Sequence, residues 1–528
     1  MDSLFFNTGL GLFSEQKFEE SQAAFLSSYR ANEKEYRQAL FYFLHVCEQK
    51  MDYQAAIELL EEVIQRHPTD HAWYSIFSDM WAKLGETSKA IAYAEQSLLI
   101  EPHQESTSLN LASWKASQIS DGLEIKKLFE DWAQKFIVPI ESRQIQSDRN
   151  IDLNPDRILK IGYISGDLKN HSIRYFIESY FKLHDREKFQ IHAFMTMEED
   201  EISAFLKPTV DAWHNVKDMT DTQLHAYIQN IGIDILVDLS GHTLGNRLKV
   251  FAMRAAPIQM TWFGDMHTLG IKSVDYRITD FSMCPPGTDA HYTEKLLRFD
   301  CMSSYLPPLN SEKQYPSPYK TNGHVTMVSL NNSRKLSDLT LQTWSEILQE
   351  NPRSGLIIVS AERTTEGAHQ SLIPRLEKIN APMQQIAISA RLTMQEFMHM
   401  ASVADFALDP FPISGGTTTY HSLWMGLPIL TLHAQGGMAV STATPMTMLG
   451  IGMECCVANG LDAYKSKAKL WIDNPEMIDA MRLVTRSNFA QCALLDYPTR
   501  TRELEAAYRE VWGNYVASQE FKKTAHIN

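Results

Sequence analysis

Two short stretches of this chain carry the residue types that handle phosphate, and two histidines carry the type that handles a proton. Along Val403 to His421 an apolar run ends at Asp409. The pair Gly415-Gly416 then allows close backbone approach, and the hydroxyls of Thr417, Thr418 and Thr419 open a helix. A helix start offers N–H groups and the positive end of the helix dipole, which suits a diphosphate. A plain helix cap, for which Ser and Thr are ordinary choices, accounts for the same residues. In Ser329-Leu-Asn-Asn-Ser-Arg-Lys335, the cations Arg334 and Lys335 follow an apolar strand-like run. A lysine at a strand's carboxyl end can neutralise a departing nucleotide diphosphate in place of a divalent metal, although a single lysine is by default a surface residue. His171 and His242, the latter in Leu239-Ser-Gly-His242-Thr, each follow a strand pattern. There an imidazole can orient an acceptor hydroxyl or amide, or take its proton near neutral pH. A histidine fixed in a core has the same sequence appearance. The His, Asp and Glu positions show no metal-ligand spacing of the H-E-x-x-H kind, so no metal and no cofactor are expected.

The elements that hold these residues alternate from Arg157 onward. Ile158–Ser165, Phe189–Met195, Ile233–Leu239, Gln259–Phe263 and Tyr276–Thr279 read as strands, with helices over Ile173–Leu183, Thr222–Ile231 and Arg247–Arg254. The prolines from Pro307 to Pro318 read as a linker. A second series follows, with strands at Val325–Leu330, Leu356–Ser360, Ile386–Ile388, Phe406–Leu408 and Pro428–Leu432 and helices between them. Helices ending in Arg502–Tyr515 close the chain. Such alternation implies right-handed crossovers and two mostly parallel sheets, with ligands at the strands' carboxyl ends and a site between the lobes.

The first hundred residues follow another period. Ala56-Ile57 recurs as Ala90-Ile91 and Pro68 as Pro102, each 34 residues on, and a weaker copy runs from Phe18 to Phe25. A small residue in mid-helix lets two helices approach, and the proline stops the second one. This resembles tetratricopeptide repeats, which end near Pro102, where the pattern dissolves. The expected division is 1–104 helical repeats, 105–156 helical linker, 157–310 first lobe and 311–528 second lobe. With 528 residues, 44% hydrophobic and 21% charged, the chain is globular and multidomain. A net charge of −15 argues against nucleic acid or an anionic membrane as main partner. No run approaches the roughly 18 apolar residues of a membrane span. Six cysteines without C-x-x-C spacing read as reduced thiols of a cytoplasmic protein.

Six motifs in order resemble the O-linked N-acetylglucosamine transferase family, glycosyltransferase family 41. They are Ile161-Gly-Tyr-Ile-Ser-Gly-Asp with Asn170-His171, Ile235 to Thr243, Arg254-Ala-Ala-Pro-Ile-Gln-Met-Thr-Trp-Phe-Gly264, Tyr276-Arg-Ile-Thr-Asp280, Asn332-Ser-Arg-Lys335 and Gly416-Thr-Thr418. The resemblance covers about Arg157 to Tyr515. It implies an α/β GT-B fold of two Rossmann-like lobes behind an all-α repeat domain, and inverting, metal-independent transfer from a UDP-sugar to Ser or Thr of acceptor proteins. By the same resemblance Lys335 holds the donor phosphates with Asn332 beside it, Thr417 and Thr418 cap the diphosphate, and His171 lines the acceptor side. His421 stands where the family has an aspartate for the ribose, Gly416 where animal enzymes have a histidine, and the loop after Trp262 departs from the family's usual sequence. Asp409-Pro-Phe-Pro412 resembles the branch that glucosylates asparagine on bacterial adhesins. A repeat scaffold that binds nucleotide without catalysis is a third reading. His421, one helical turn past Thr417, is expected to face the nucleotide and to lose its acceptor role on protonation near pH 6.5.

Overall fold

The protein is described here by a computed structural model, which covers residues 2–31, 37–50, 52–119, 121–143, 151–311, 313–360, 362, 364–433 and 439–525. The side chain of Arg334 and residues 144–150 of the polar junction, both singled out in the sequence, lie outside the described residues.

Among the described residues, eight helices of twelve or more residues come first: α1 (Asp2–Ser14), α2 (Phe18–Ala31), α3 (Arg37–Lys50), α4 (Tyr53–Arg66), α5 (His71–Lys83), α6 (Thr87–Ile100), α7 (Glu105–Ala116) and α8 (Gly122–Phe136). The repeat reading holds, with Ala56 and Ala90 fully buried where helices meet and Pro68 and Pro102 just past the ends of α4 and α6. Past the expected end at 104 the helical spacing continues. The helices that open the pairs begin at Arg37, His71 and Glu105, 34 residues apart each time, so α7 stands where a further pair begins. It hydrogen-bonds back to α5 through Ser75–Thr107 (2.7 Å) and Asn110–Asp79 (3.0 Å). The period survives there as helix position, while the small-residue and proline markers are gone.

The first sheet is parallel throughout, with β1 (Leu159–Ser165), β2 (Phe189–Met195), β3 (Ala212–Asn215), β4 (Ile235–Asp238), β5 (Ile258–Thr261), β6 (Tyr276–Asp280) and β7 (Lys295–Phe299) in the order β3-β2-β1-β4-β5-β6-β7. Strands covered on both faces are continuous apolar runs, and β1 and β2 are such runs. The sequence pattern misses β3 (AWHN) and β7 (KLLRF) because both are half-buried edge strands without that signature.

Further along the chain, β8 (Thr326–Ser329), β9 (Gly355–Val359), β10 (Ile386–Ser389) and β11 (Phe406–Leu408) run parallel in the order β10-β9-β8-β11. The strands β12 (Ile429–Leu432) and β13 (Val457–Ala458) also pair in parallel.

The chain forms two compact units that do not follow the expected linear division. One joins Met1–Trp114 with Pro316–Phe411 and Leu461–Ile478, and the other joins Lys115–Tyr315 with Pro412–Gly460 and Asp479–Asn528. The linear division places the last helix, Tyr497–Ala525, in the second lobe. Instead its apolar face, with Leu504, Tyr508, Val511, Trp512 and Val516, enters the core of the first sheet. There Tyr508 meets the hydroxyl of Tyr163 at 3.0 Å, and Glu505 holds His184 Nδ1 at 3.1 Å.

Candidate functional site

In the first unit, β8 ends at Ser329 and a single 3-10 turn, Ser333–Lys335, leads into the helix Asp338–Glu350. The turn is fixed from both sides. Lys335 donates its backbone N–H to Asn332 O at 2.9 Å. Ser337, which caps the helix, and Thr340 both donate to Phe411 O at 2.6 Å, tying the turn to the exit of β11. Asn332 is exposed and Lys335 half-buried. Burial pushes the Lys335 ammonium below its ordinary pKa, and the buried Asp409 carboxylate pulls the other way. A positive charge held partly out of water interacts more strongly with a phosphate than a solvated one does.

In the second unit the helix Thr417–Trp424 starts at Gly416, a glycine at the N-cap position. Among the described residues, a Cβ on Gly416 would meet nothing within 4 Å, so there is open space beside the helix start. Behind it, Thr444 braces the loop. Its Oγ1 lies 2.7 Å from Thr419 Oγ1 and 3.2 Å from Gly415 O. Thr417 and Thr418 are part-exposed and Thr419 is buried.

The same unit brings His171 near this helix. His171 is half exposed, with Nδ1 3.8 Å from Asp167 Oδ2, and it immediately precedes the helix Arg174–Leu183. That helix packs on Thr417–Trp424 through two edge-on ring pairs, Tyr175–His421 at 4.7 Å and Phe176–Tyr420 at 5.9 Å. The segment carrying the proton-handling candidate is thus joined to the segment carrying the phosphate candidate.

His421 is 3% exposed, and its Nδ1 lies 2.6 Å from the Tyr305 hydroxyl. Burial pushes its pKa down to about 3, which corrects the expected titration near pH 6.5: the folded protein keeps this imidazole neutral throughout that range. Between about 6.5 and 3 the unfolded chain binds a proton here that the folded chain does not. Stability is thus full above pH 6.5 and falls as the pH drops, by up to about 1.4 kcal/mol per pH unit. His421→Gln, which does not titrate, is expected to show a shallower loss in denaturant titrations from pH 7 to 4; an unchanged slope removes this assignment.

His242 is also corrected. It is 9% exposed and sits under α8, stacked on Phe129 (4.5 Å, 8° between planes) and edge-on to Trp132. Its Nε2 lies 3.3 Å from Thr268 O, and burial lowers its pKa. This is the setting of a packed histidine, so His171 is the accessible imidazole of the two. Sequence reasoning misses what holds the His242 loop. Asp238 accepts the N–H groups of Ser240 (3.0 Å) and Gly241 (2.9 Å) and the Thr261 hydroxyl (2.8 Å), and burial pushes its carboxyl up to about 6. Gly264, in the loop that departs from the family, is a glycine because a Cβ would lie 2.2 Å from Ser240 C. Neither Asp238 nor Thr444 has a signal in the sequence beyond its place at a strand end or inside a helix. Among the described residues, no group of three or more His, Cys, Asp or Glu is arranged to hold a metal ion, and no helix is long and apolar enough to cross a membrane.

Comparison with known proteins bears on this arrangement. The family model described as glycosyl transferase family 41 matches residues 137–307 and 304–504. A Petunia hybrida protein named probable UDP-N-acetylglucosamine–peptide N-acetylglucosaminyltransferase SPINDLY is 31% identical over 402 residues, 74% of this chain and 42% of that one. The Arabidopsis thaliana protein of the same description named SEC is 27% identical over 387 residues, 69% of this chain and 38% of that one. The chain thus spans less than half the length of these curated relatives. A solved structure of a mutant O-GlcNAc transferase from Thermobaculum terrenum superposes with a TM-score of 0.87 at 25% identity, covering 98% of this chain and 99% of that one. The fold is accordingly the GT-B pair of Rossmann-like lobes behind helical repeats.

Proposed function

The chain belongs to glycosyl transferase family 41, and from that premise we propose that it moves a sugar, N-acetylglucosamine or glucose, from a UDP-sugar to Ser or Thr of acceptor proteins. The observation that carries this reading is the helix start at Gly416–Thr419, with a glycine at its N-cap that has open space beside it among the described residues, packed through Tyr175–His421 and Phe176–Tyr420 against the helix that follows His171. In the proposed reaction the acceptor oxygen forms a bond to the anomeric carbon from the face opposite the diphosphate, which inverts that centre. The bond from the anomeric carbon to the phosphate oxygen breaks, and the acceptor's proton passes to His171. UDP leaves with its developing charge met by the helix N–H groups and the Lys335 ammonium. Asn332 lies beside the phosphates, and the repeats present the acceptor. The free cysteines agree with action in the cytoplasm.

A donor site whose positive charge comes from a lysine and a helix end needs no divalent ion. Transfer to a mixture of acceptor proteins is therefore expected to continue in excess EDTA, read by intact-protein mass spectrometry with UDP-N-acetylglucosamine and UDP-glucose in separate reactions. Loss on chelation with recovery on manganese or magnesium removes the metal-independent reading. A hexose on asparagine would move the chain to the N-glucosylating branch.

A further inference from the structure

The helix Thr365–Lys378 of the first unit faces the repeats near both its ends. Its start shares a cleft of about 640 Å³ with the turns before α2 and after α3, where Glu366 and Gln370 face Glu19 and Lys50. Nearer its end, Arg375 is only 6% exposed. Its Nη2 donates to Leu336 O at 2.6 Å and to Asp338 Oδ1 at 2.9 Å. Leu336 follows Lys335 directly, so the guanidinium grips the backbone of the lysine turn. Its Nε and Nη1 are buried with no hydrogen-bond partner among the described residues. What covers it is Gly85, in the turn between α5 and α6 at φ +80°. A Cβ there would lie 2.9 Å from Arg375 Nη1 and 3.7 Å from Ser333 O, the first residue of the lysine turn.

A buried cation with unpaired N–H groups is costly, and water reaching it would relieve the cost. The side chain therefore keeps its grip on Leu336 only while the repeat turn stays closed over it. We propose that Arg375 is a positioning residue for Lys335, and that the repeats control its grip through Gly85, so that an acceptor protein moving the repeats changes the affinity for the donor diphosphate. This rests on the donor-site role of Lys335 given above. Coupling of this kind is reciprocal, so the donor changes acceptor affinity by the same factor.

The test uses the full chain, with calorimetric titration of UDP, steady-state kinetics and thermal melting. Arg375→Ala, which frees the turn, and Gly85→Val, which forces the cover open from the repeat side, are each expected to weaken UDP binding and raise the donor KM about tenfold. The kcat at saturating donor should stay within about threefold, because bound diphosphate itself holds the ammonium. Arg375→Lys, whose ammonium can still reach Leu336 O, should recover most of the UDP affinity, which a purely structural role would not predict. If wild type binds UDP and both Arg375→Ala and Gly85→Val bind it equally well, the positioning role is overturned. It is likewise overturned if Arg375→Lys melts like wild type yet binds as weakly as Arg375→Ala. A wild-type chain that binds no UDP overturns the donor reading and this inference with it.

Discussion

Lys335→Ala is expected to lower kcat by about 10²–10³-fold or more while the chain folds normally, the loss typical of deleting one preorganised group that meets charge developing in a transition state. The side chain is half-buried at the end of a turn fixed by Asn332, Ser337 and Thr340, so its ammonium is held in place before the donor arrives. Its removal leaves the turn's backbone contacts intact, and the melting temperature should barely move. Burial lowers the pKa of Lys335. Its charge, and with it activity, is therefore lost as the pH rises at a lower pH than for a solvated lysine. Lys335→Arg keeps its charge over that range and should flatten the alkaline limb even where its geometry lowers the rate. Near-normal turnover of the alanine variant at saturating donor would falsify the assignment.

Deleting residues 1–104, the span that the sequence marks as separable, is expected to give a chain that melts below wild type and binds UDP at least about tenfold more weakly. The cut leaves α7 without α5 and α6. It removes the Ser75 and Asp79 partners of Thr107 and Asn110 and uncovers the buried Leu109, Ala112 and Ala116. It also strips Gly85 from Arg375. Melting curves and UDP titrations of the two chains decide the matter. If the shortened chain matches wild type in both, the repeats and residues 316–411 are not one cooperative unit.

How far the sequence alone reaches follows from where each signal is written. Strands β1, β2 and β11 are legible to within a residue, because a strand covered on both faces announces itself as an apolar run. The second helices of the repeats show through Ala56, Ala90 and the prolines after them. The turn at Lys335 and the helix start at Gly416 are legible because glycines, threonines and cations after an apolar run are a local pattern. Burial is not legible in the same way. Nothing near His421 in the sequence announces Tyr305, which lies 116 residues earlier and sets that histidine's environment. The same is true of Phe129 over His242, of Thr444 behind Gly415 and of Gly85 over Arg375. Each is a meeting of distant segments, and a periodicity has no term for it. The polar edge strands β3 and β7 escape notice for the opposite reason, since half-exposure erases the pattern that central strands display.

The return of the last helix to the first sheet bears on how this chain is made. Tyr163 and its partner Tyr508 are 345 residues apart. At a synthesis rate of roughly 5–20 residues per second, β1 leaves the ribosome roughly 17–70 s before the side chains that complete its core exist. During that interval the apolar strands of the first sheet stand without Leu504, Tyr508 and Trp512, so neither compact unit can finish in the order in which it is translated. The nascent chain is then a client for holding factors, and a ribosome stalled between codons 421 and 504 releases a product with a full set of site residues and an unsealed sheet.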